Sequence, residues 1–185
     1  MEQLKSWETK KKVFAIFGIL SALIIVANIF IPFFSGDLSS IIKTLKIESK
    51  EIFGVYSNGI SLMGFATSCI YVVNELGDVI GSLKGAYIAV AVLVGVIALF
   101  SIINLIAALC KKPVLSMVFS ILIFLFAFVE LVFFASVDFL KGTGYSEGPA
   151  LYIYIVCFVV TFVVDILLII AKRKIKKLKK ENNIS

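Results

Sequence analysis

The sequence predicts an all-α fold, an integral membrane four-helix bundle, and three observations lead to this class. Hydrophobic residues make up 61% of the 185 residues, and the mean hydropathy is +1.08. A soluble domain contains about 45–50% apolar residues, so much of this surface must face lipid. Four long apolar runs contain no Lys or Arg, and most of the cations flank those runs.

The four runs are long enough to cross a bilayer as helices, since a span needs about 20 residues for about 30 Å of hydrocarbon. We predict spans at 13–34, 86–110, 114–137 and 150–171. Span one is longer than the 7–15 apolar residues of a signal peptide, and no Ala-x-Ala site follows it, which predicts a retained anchor. The whole chain, 1–185, is predicted to form a single membrane domain.

The outer segment 35–85, between spans one and two, is predicted to be partly helical. Residues 37–40 (Asp-Leu-Ser-Ser) are typical of a helix start, and residues 57–59 (Ser-Asn-Gly) of a turn. Residues 59–73 are uncharged but too few to span with confidence, so we expect a re-entrant, interfacial or buried helix packed on the bundle. This stretch is the best candidate recognition surface.

The later elements follow from short connections. The turn Lys111-Lys112-Pro113 is so tight that spans two and three must be antiparallel neighbours, and Pro113 suits the first turn of span three. An outer loop of about a dozen residues leads to span four, and a basic tail, 172–185, follows.

The cations predict the orientation of the protein. Thirteen of the eighteen Lys and Arg residues lie before span one, between spans two and three, or after span four. Lys and Arg favour cytoplasmic flanks, so both termini are predicted to be cytoplasmic, in a plasma membrane. The Lys- and Ile-rich composition favours a bacterial source. Since topology explains the net charge of +6, we do not expect a nucleic-acid partner.

The start of the basic tail is a candidate contact for anionic lipids, which attract a nearby cation by about 1 kcal/mol each. The candidate residues are Lys172, Arg173, Lys174, Lys176 and Lys177. An ordinary orientation signal is the simpler interpretation of the same cluster.

Two carboxylates lie inside predicted spans, Glu130 and Asp165. Insertion of such a charge costs about 2.5–3.5 kcal/mol, so these residues are candidates for function. Counting helical rise, Glu130 lies roughly 24 Å above the inner end of span three, and Asp165 roughly 22 Å below the outer end of span four. They therefore occupy different leaflets, with Asn28 near the depth of Glu130 and Asn104 near that of Asp165.

Three interpretations of the carboxylates remain open. Each is protonated or hydrogen-bonded to its Asn and holds two helices together. Alternatively, each meets a group on a partner's helix, or the two are stations on a path for protons or cations, which Ser101, Ser116, Ser120 and Thr161 would extend.

The composition argues against catalysis, cofactors and metals. There is no His, which excludes His-based acid–base chemistry, His metal ligands and nucleophile–His pairs. Phosphate-binding Gly motifs and clustered acidic and Cys ligands are absent. The three cysteines predict no disulfide framework within one chain, which leaves an intermolecular Cys69 bridge as an alternative.

Residues 29–35 (Ile-Phe-Ile-Pro-Phe-Phe-Ser) and 142–152 (Gly-Thr-Gly-Tyr-Ser-Glu-Gly-Pro-Ala-Leu-Tyr), with the long first outer loop, carry a resemblance. The chain resembles the small four-span membrane proteins of low-GC bacteria, whose function is unassigned. Its layout is also similar to that of claudins and peripheral-myelin-protein-type tetraspans. Their outer-loop signature, Gly-Leu-Trp followed by two Cys, is missing, so a junction-forming role is not implied.

The sequence thus predicts a non-enzymatic membrane protein that acts through protein or lipid contacts. An accessory subunit of a larger complex, with a membrane-protein partner or a second copy, or a small immunity or stress-type protein, fits these features. The alternative is proton- or cation-coupled transport through the two carboxylates.

Overall fold

The computed structural model describes residues 2–35, 55–56, 59–81, 84–136 and 146–182. Its helices are α1 (Glu2–Asn28), α2 (Leu62–Ile80), α3 (Lys84–Leu109), α4 (Pro113–Ser136) and α5 (Pro149–Asn182). Its strands are β1 (Pro32–Ser35), β2 (Val55–Tyr56), β3 (Gly59–Ser61) and β4 (Ser146–Glu147). The predicted class is confirmed, because α1, α3, α4 and α5 are each long and apolar enough to cross a membrane.

The four long helices form a bundle in which α1 contacts α5 and α3, and α4 contacts α3 and α5. The prediction that spans two and three are neighbours is therefore confirmed, and α4 begins at Pro113, as expected. Large apolar side chains cover the outside of the bundle: Val92 and Val156 are 60% and 61% exposed. Such an apolar exterior is what lipid requires.

Helices α1 and α5 make the most extensive pairing and continue beyond the predicted spans. A Cβ at Gly18 would lie 3.5 Å from Val164 Cγ1, which shows how closely the two helices approach. At 1.5 Å per residue the 34 residues of α5 measure about 51 Å, well beyond about 30 Å of hydrocarbon. We call the paired ends, residues 2–12 and 172–182, the inner stalk. There Ile175 is buried, and Lys179 Nζ lies 3.6 Å from Glu8 Oε1.

A small antiparallel sheet ties together the outer ends of the helices, in the strand order β2-β3-β1-β4. Strand β1 directly follows α1, β3 directly precedes α2, and β4 immediately precedes α5. The Gly148 amide donates to the Phe33 carbonyl at 2.7 Å, and the Met63 amide to the Ile29 carbonyl at 3.2 Å. We call these four strands together with α2 the outer cap.

Span one ends earlier than predicted, and this boundary was wrong. Helix α1 ends at Asn28, and residues 32–35 are a strand rather than the last turn of a span. Pro32 explains the change, because its ring removes an N–H and keeps the preceding residue out of the helical region. Phe33 and Phe34 are apolar residues that fill the interior of the outer cap rather than the end of a span. They are 1% and 4% exposed.

Helix α2 resolves how residues 59–73 are arranged. Residues 59–61 form β3, and residues 62–73 belong to a helix that packs along α3. Packing on the bundle was one of the predicted arrangements of this stretch. Ser61 caps this helix by accepting a hydrogen bond from the Gly64 amide at 3.0 Å. The helix start predicted at 37–40 and residues 57–58 of the predicted turn lie outside the described residues.

The inner turn between α3 and α4 closes with two bonds typical of a Schellman motif. The Lys112 amide donates to the Ala107 carbonyl at 2.9 Å, and the Lys111 amide to the Ala108 carbonyl at 3.0 Å. Lys111 has a φ of +54°, in the left-handed region that usually favours glycine. The Lys172 ammonium of α5 donates to the Lys111 carbonyl and so holds this turn against the bundle.

We expect Gly148→Ala to destabilise the protein. The added Cβ would lie 2.3 Å from the Pro32 carbonyl oxygen and 2.7 Å from the Phe33 carbonyl carbon. The close contact between Gly148, just before α5, and strand β1 must therefore open. Overpacking of this kind costs about 1–3 kcal/mol. Thermal unfolding in detergent, followed by helical circular dichroism, measures the loss.

Gly95→Ala is the matched control, since a Cβ there meets nothing within 4 Å. This substitution should leave the unfolding temperature unchanged or raise it slightly, because Ala favours a helix. Equal unfolding temperatures for Gly148→Ala and Gly95→Ala would contradict the close contact between Gly148 and β1.

Candidate functional sites inside the bundle

All four predicted intramembrane polar residues point into the bundle. Glu130 is 1% exposed, Asp165 2%, and both Asn28 and Asn104 0%. Each of these side chains is enclosed by helices of its own chain. Lipid or a partner's helix therefore does not reach them in this arrangement, and their chemistry is internal.

The inner site joins two helices through one serine. Ser116 of α4 donates its hydroxyl proton to Asn104 Oδ1 of α3 at 2.9 Å. Asp165 of α5 is also buried, and its Oδ2 atom has no hydrogen-bond partner in the described chain. The predicted hydrogen bond between Asp165 and Asn104 is not among the described contacts, and Ser116 is the described partner of Asn104.

The outer site holds polar atoms that lack partners. Asn28 Nδ2 donates to the Ala150 carbonyl at 2.8 Å, and the predicted bond from Asn28 to Glu130 is absent from the described hydrogen bonds. Among the described residues, neither oxygen of Glu130 has a hydrogen-bond partner, and the same holds for Asn28 Oδ1 and the Tyr154 hydroxyl. Buried polar groups usually have a hydrogen-bond partner, so the unpaired atoms of this site require an explanation.

Buried polar side chains also lie between the two sites. Ser21 of α1 and Thr161 of α5 share a hydrogen bond of 2.7 Å, and the Ser21 hydroxyl also contacts the Cys157 carbonyl at 3.1 Å. Ser101 donates to the Ile97 carbonyl of its own helix at 2.7 Å, while Ser120 Oγ has no partner in the described chain. The residues predicted to extend the polar path therefore lie inside the bundle. Their described hydrogen bonds do not join them into a continuous chain.

Sequence reasoning missed Tyr154 and Ser21. Tyr154 is 3% exposed and Ser21 3% exposed, inside spans that read as almost wholly apolar. A helical count would have found one of them, since Ser21 precedes Asn28 by seven residues, two helical turns on the same face. Tyr154 gave no such signal, because aromatic residues are also common where spans meet the membrane surface.

The basic residues of the tail lie on the inner stalk. Arg173, Lys174, Lys176 and Lys177 are exposed, and Lys172 is partly buried beside the inner turn. Helical rise carries each successive residue about 1.5 Å along the stalk, so the first cations are nearest the predicted inner face of the bilayer. Lys172 thus bonds the inner turn, and Lys177 Nζ lies 3.8 Å from Glu181 Oε1 on its own helix.

The three cysteines are free thiols that differ in exposure. Cys69 is 2% exposed on α2, and burial, with a smaller effect from the charge of Glu130, raises the pKa of its thiol to about 12. A buried, neutral thiol is a poor nucleophile, so the intermolecular bridge considered above is disfavoured. Cys157 is buried, whereas Cys110 at the inner turn is exposed. Over the described residues, no three His, Cys, Asp or Glu residues are grouped as metal ligands.

Comparison with known protein families, with curated proteins and with solved structures gives no match to this chain. The internal geometry is therefore the basis for reasoning about function.

We expect Glu130→Met to stabilise the folded protein by about 1–3 kcal/mol, because it removes a buried group that has no partner and keeps a similar volume. Asn104→Leu should have the opposite effect, since it removes the acceptor of the Ser116 hydrogen bond. Chemical unfolding in mixed detergent micelles compares the two free energies of unfolding. Equal destabilisation by both variants would show that Glu130 is bonded as firmly as Asn104.

Proposed function

We propose that this chain is a multi-pass plasma-membrane protein, with both termini in the cytoplasm, that acts through protein and lipid contacts. It would be an accessory or interaction subunit and not an enzyme. The observation that carries the proposal is the enclosure of Glu130, Asp165, Asn28 and Asn104 within their own bundle. A partner must then be recognised by other surfaces, and the outer cap is the best placed.

The outer cap offers an ordered surface with exposed apolar side chains. Helix α2 buries Leu62, Phe65 and Cys69 against the bundle and leaves Ile70 51% exposed and Tyr71 36% exposed. Large aromatic and aliphatic side chains of this kind are typical anchors of protein interfaces. We therefore propose that the side of α2 that exposes Ile70 and Tyr71 is the recognition surface.

The inner stalk supports the proposed orientation and lipid contact. Its cations concentrate at one end of the bundle, where Lys and Arg favour the cytoplasmic side. Arg173 and Lys174, near the start of the stalk, are exposed toward the surface on which anionic lipids would lie.

Replacing Ile70 and Tyr71 together by Ser should abolish association with a partner while leaving membrane insertion intact. Both side chains are exposed, so their loss removes contact area without opening the core. The measurement is gentle-detergent purification of the tagged protein from its native membrane, with co-purifying proteins identified and quantified by mass spectrometry.

Leu109→Ser is the matched control, since Leu109 is 54% exposed at the opposite end of the bundle. It should retain the companion. Glu130→Leu and Asp165→Leu should also retain it, because neither side chain reaches the surface. Purification of the native protein as a single species, with no stoichiometric companion, would contradict the proposal.

A second candidate function is proton- or cation-coupled transport, favoured by one observation. Glu130 is a buried carboxyl group whose two oxygens have no hydrogen-bond partner in the described chain. Ionisable groups buried within a membrane protein are often functional. The interior serines and Thr161 would extend a path from this group toward Asp165.

Under this second function, the native protein in liposomes should dissipate an imposed pH gradient, and Glu130→Gln or Asp165→Asn should remove that flux. Each substitution keeps the side chain's size but removes its ability to exchange a proton. Ser68→Ala is the control, since this hydroxyl bonds the Gly64 carbonyl within α2, outside the four spans, and its flux should equal that of the native protein. A native protein that leaves the gradient unchanged rules out the proton path.

A further inference from the structure

We propose that the inner turn and the start of α4 form a binding site for one anionic phospholipid of the inner leaflet. Lys111 and Lys112 bind its phosphate group, and an apolar groove along α4 holds the first part of an acyl chain. The inference rests on the orientation and lipid contact proposed above. It adds a specific site at this turn to the general attraction between the basic tail and anionic lipids.

The groove is formed by the inner end of α4 and the residue before it. Its lining consists of Lys112, Pro113, Val114, Leu115 and Val118, and its volume is about 440 Å³. Val114 is 58% exposed, Val118 44% and Leu115 41%. Val114 and Val118 are one helical turn apart on the same face, with Leu115 beside them. Apart from Lys112 these side chains are apolar, so the groove suits a hydrocarbon chain.

The groove runs from the membrane surface into the hydrocarbon. Lys112 lies in the turn between α3 and α4, and Val118 follows six residues later, which is about 9 Å along the helix axis. A phospholipid of the same leaflet therefore has its phosphate level with the lysines and its first methylene groups level with the valines.

The cations at the surface end of the groove match an anionic headgroup. Lys111 and Lys112 are both exposed, and neither forms an ion pair with a described carboxylate. The Lys172 ammonium of α5 donates to the Lys111 carbonyl and adds a third cation to the turn. The carboxylates of Glu8 and Glu181 lie 3.6 and 3.8 Å from lysines of the inner stalk itself. Cations and an apolar wall thus meet at one place, as recognition of an anionic lipid requires.

The backbone of Lys111 supports a role for its charge. Its φ of +54° lies in the left-handed region, where a side chain is strained and glycine is not. Glycine is also the usual residue at this position of a Schellman motif. The conformation of the turn therefore does not explain a lysine here, whereas phosphate binding gives its ammonium group a role.

Tryptophan fluorescence of the full chain in vesicles measures which lipid occupies the groove. Trp7 is the single tryptophan, so Trp7→Phe with Val118→Trp places one reporter in the groove. The vesicles contain phosphatidylglycerol and phosphatidylcholine in equal amounts, with bromine, which quenches nearby tryptophan, on the acyl chains of one lipid at a time. We expect the anionic lipid to bind about five-fold more tightly or better, since one nearby cation contributes about 1 kcal/mol.

Lys111→Gly together with Lys112→Gln should reduce this preference to about one, because both charges are lost. Glycine keeps the left-handed turn and the carbonyl that Lys172 contacts, so the bundle stays closed. Lys111→Gly by itself should leave the thermal unfolding temperature unchanged or raise it, because it relieves the strained backbone. A lost lipid preference without lost stability separates lipid binding from a structural role.

Lys176→Gln with Lys177→Gln is the matched control. It removes two charges from the inner stalk, of which the nearer is about 6 Å beyond Lys172 along α5. This variant should keep most of the preference at the reporter. If it loses the preference while the inner-turn variant keeps it, the site is wrong and the lipid contact proposed for the tail stands. Equal quenching by the two lipids would indicate ordinary surrounding lipid, and quenching by neither would indicate a protein in the groove; either result would overturn the site.

Native mass spectrometry of the unmutated protein tests the site even if the reporter variant fails to fold. Released from micelles that contain equal amounts of the two lipids, the native chain should retain phosphatidylglycerol in preference to phosphatidylcholine. Lys111→Gly with Lys112→Gln should remove that preference. Equal retention of the two lipids by the native chain would overturn the site.

Discussion

The need to satisfy polar groups away from lipid is the constraint on which this structure depends. In hydrocarbon an unpaired polar group costs several kcal/mol, so each must find a place inside the protein. Within the four spans, every Ser, Thr, Asn, Asp and Glu whose burial is described lies in the bundle interior. This interior polarity sets the rotation of each helix and leaves Val, Leu, Ile and Phe to face lipid.

The two ends of the interior meet this constraint differently. At the inner end, Ser116 bonds Asn104, and Lys172 attaches α5 to the turn between α3 and α4. At the outer end, neither oxygen of Glu130 has a hydrogen-bond partner in the described chain. The bonds at the inner end therefore connect three helices, whereas Glu130 has no described bond that would stabilise the fold.

Beyond the four spans, the outer cap also constrains how the helices are arranged. Strands β1, β3 and β4 begin or end within a few residues of α1, α2 and α5, so the sheet fixes how these helices enter the bundle. Phe33 and Leu62 fill the space beneath it, at 1% and 0% exposure. The exposure of Ile70 and Tyr71 on α2 suits a protein that presents a surface for binding, which is why we favour contact over transport.

The sequence by itself determined the four spans, their order and the charge asymmetry, because apolar length and flanking cations are local properties of the chain. It also identified Glu130, Asp165, Asn28 and Asn104, since polar residues are rare in such runs. Only the tertiary structure decided that Pro32 begins a strand, that Ser116 bonds Asn104, and that Tyr154 is buried in the bundle. Pairs such as Phe34 with Glu147 join residues far apart in sequence, and strands of two to four residues carry no periodic signal. Which polar atoms meet depends on the rotation of each helix about its axis, and packing against the neighbouring helices sets that rotation.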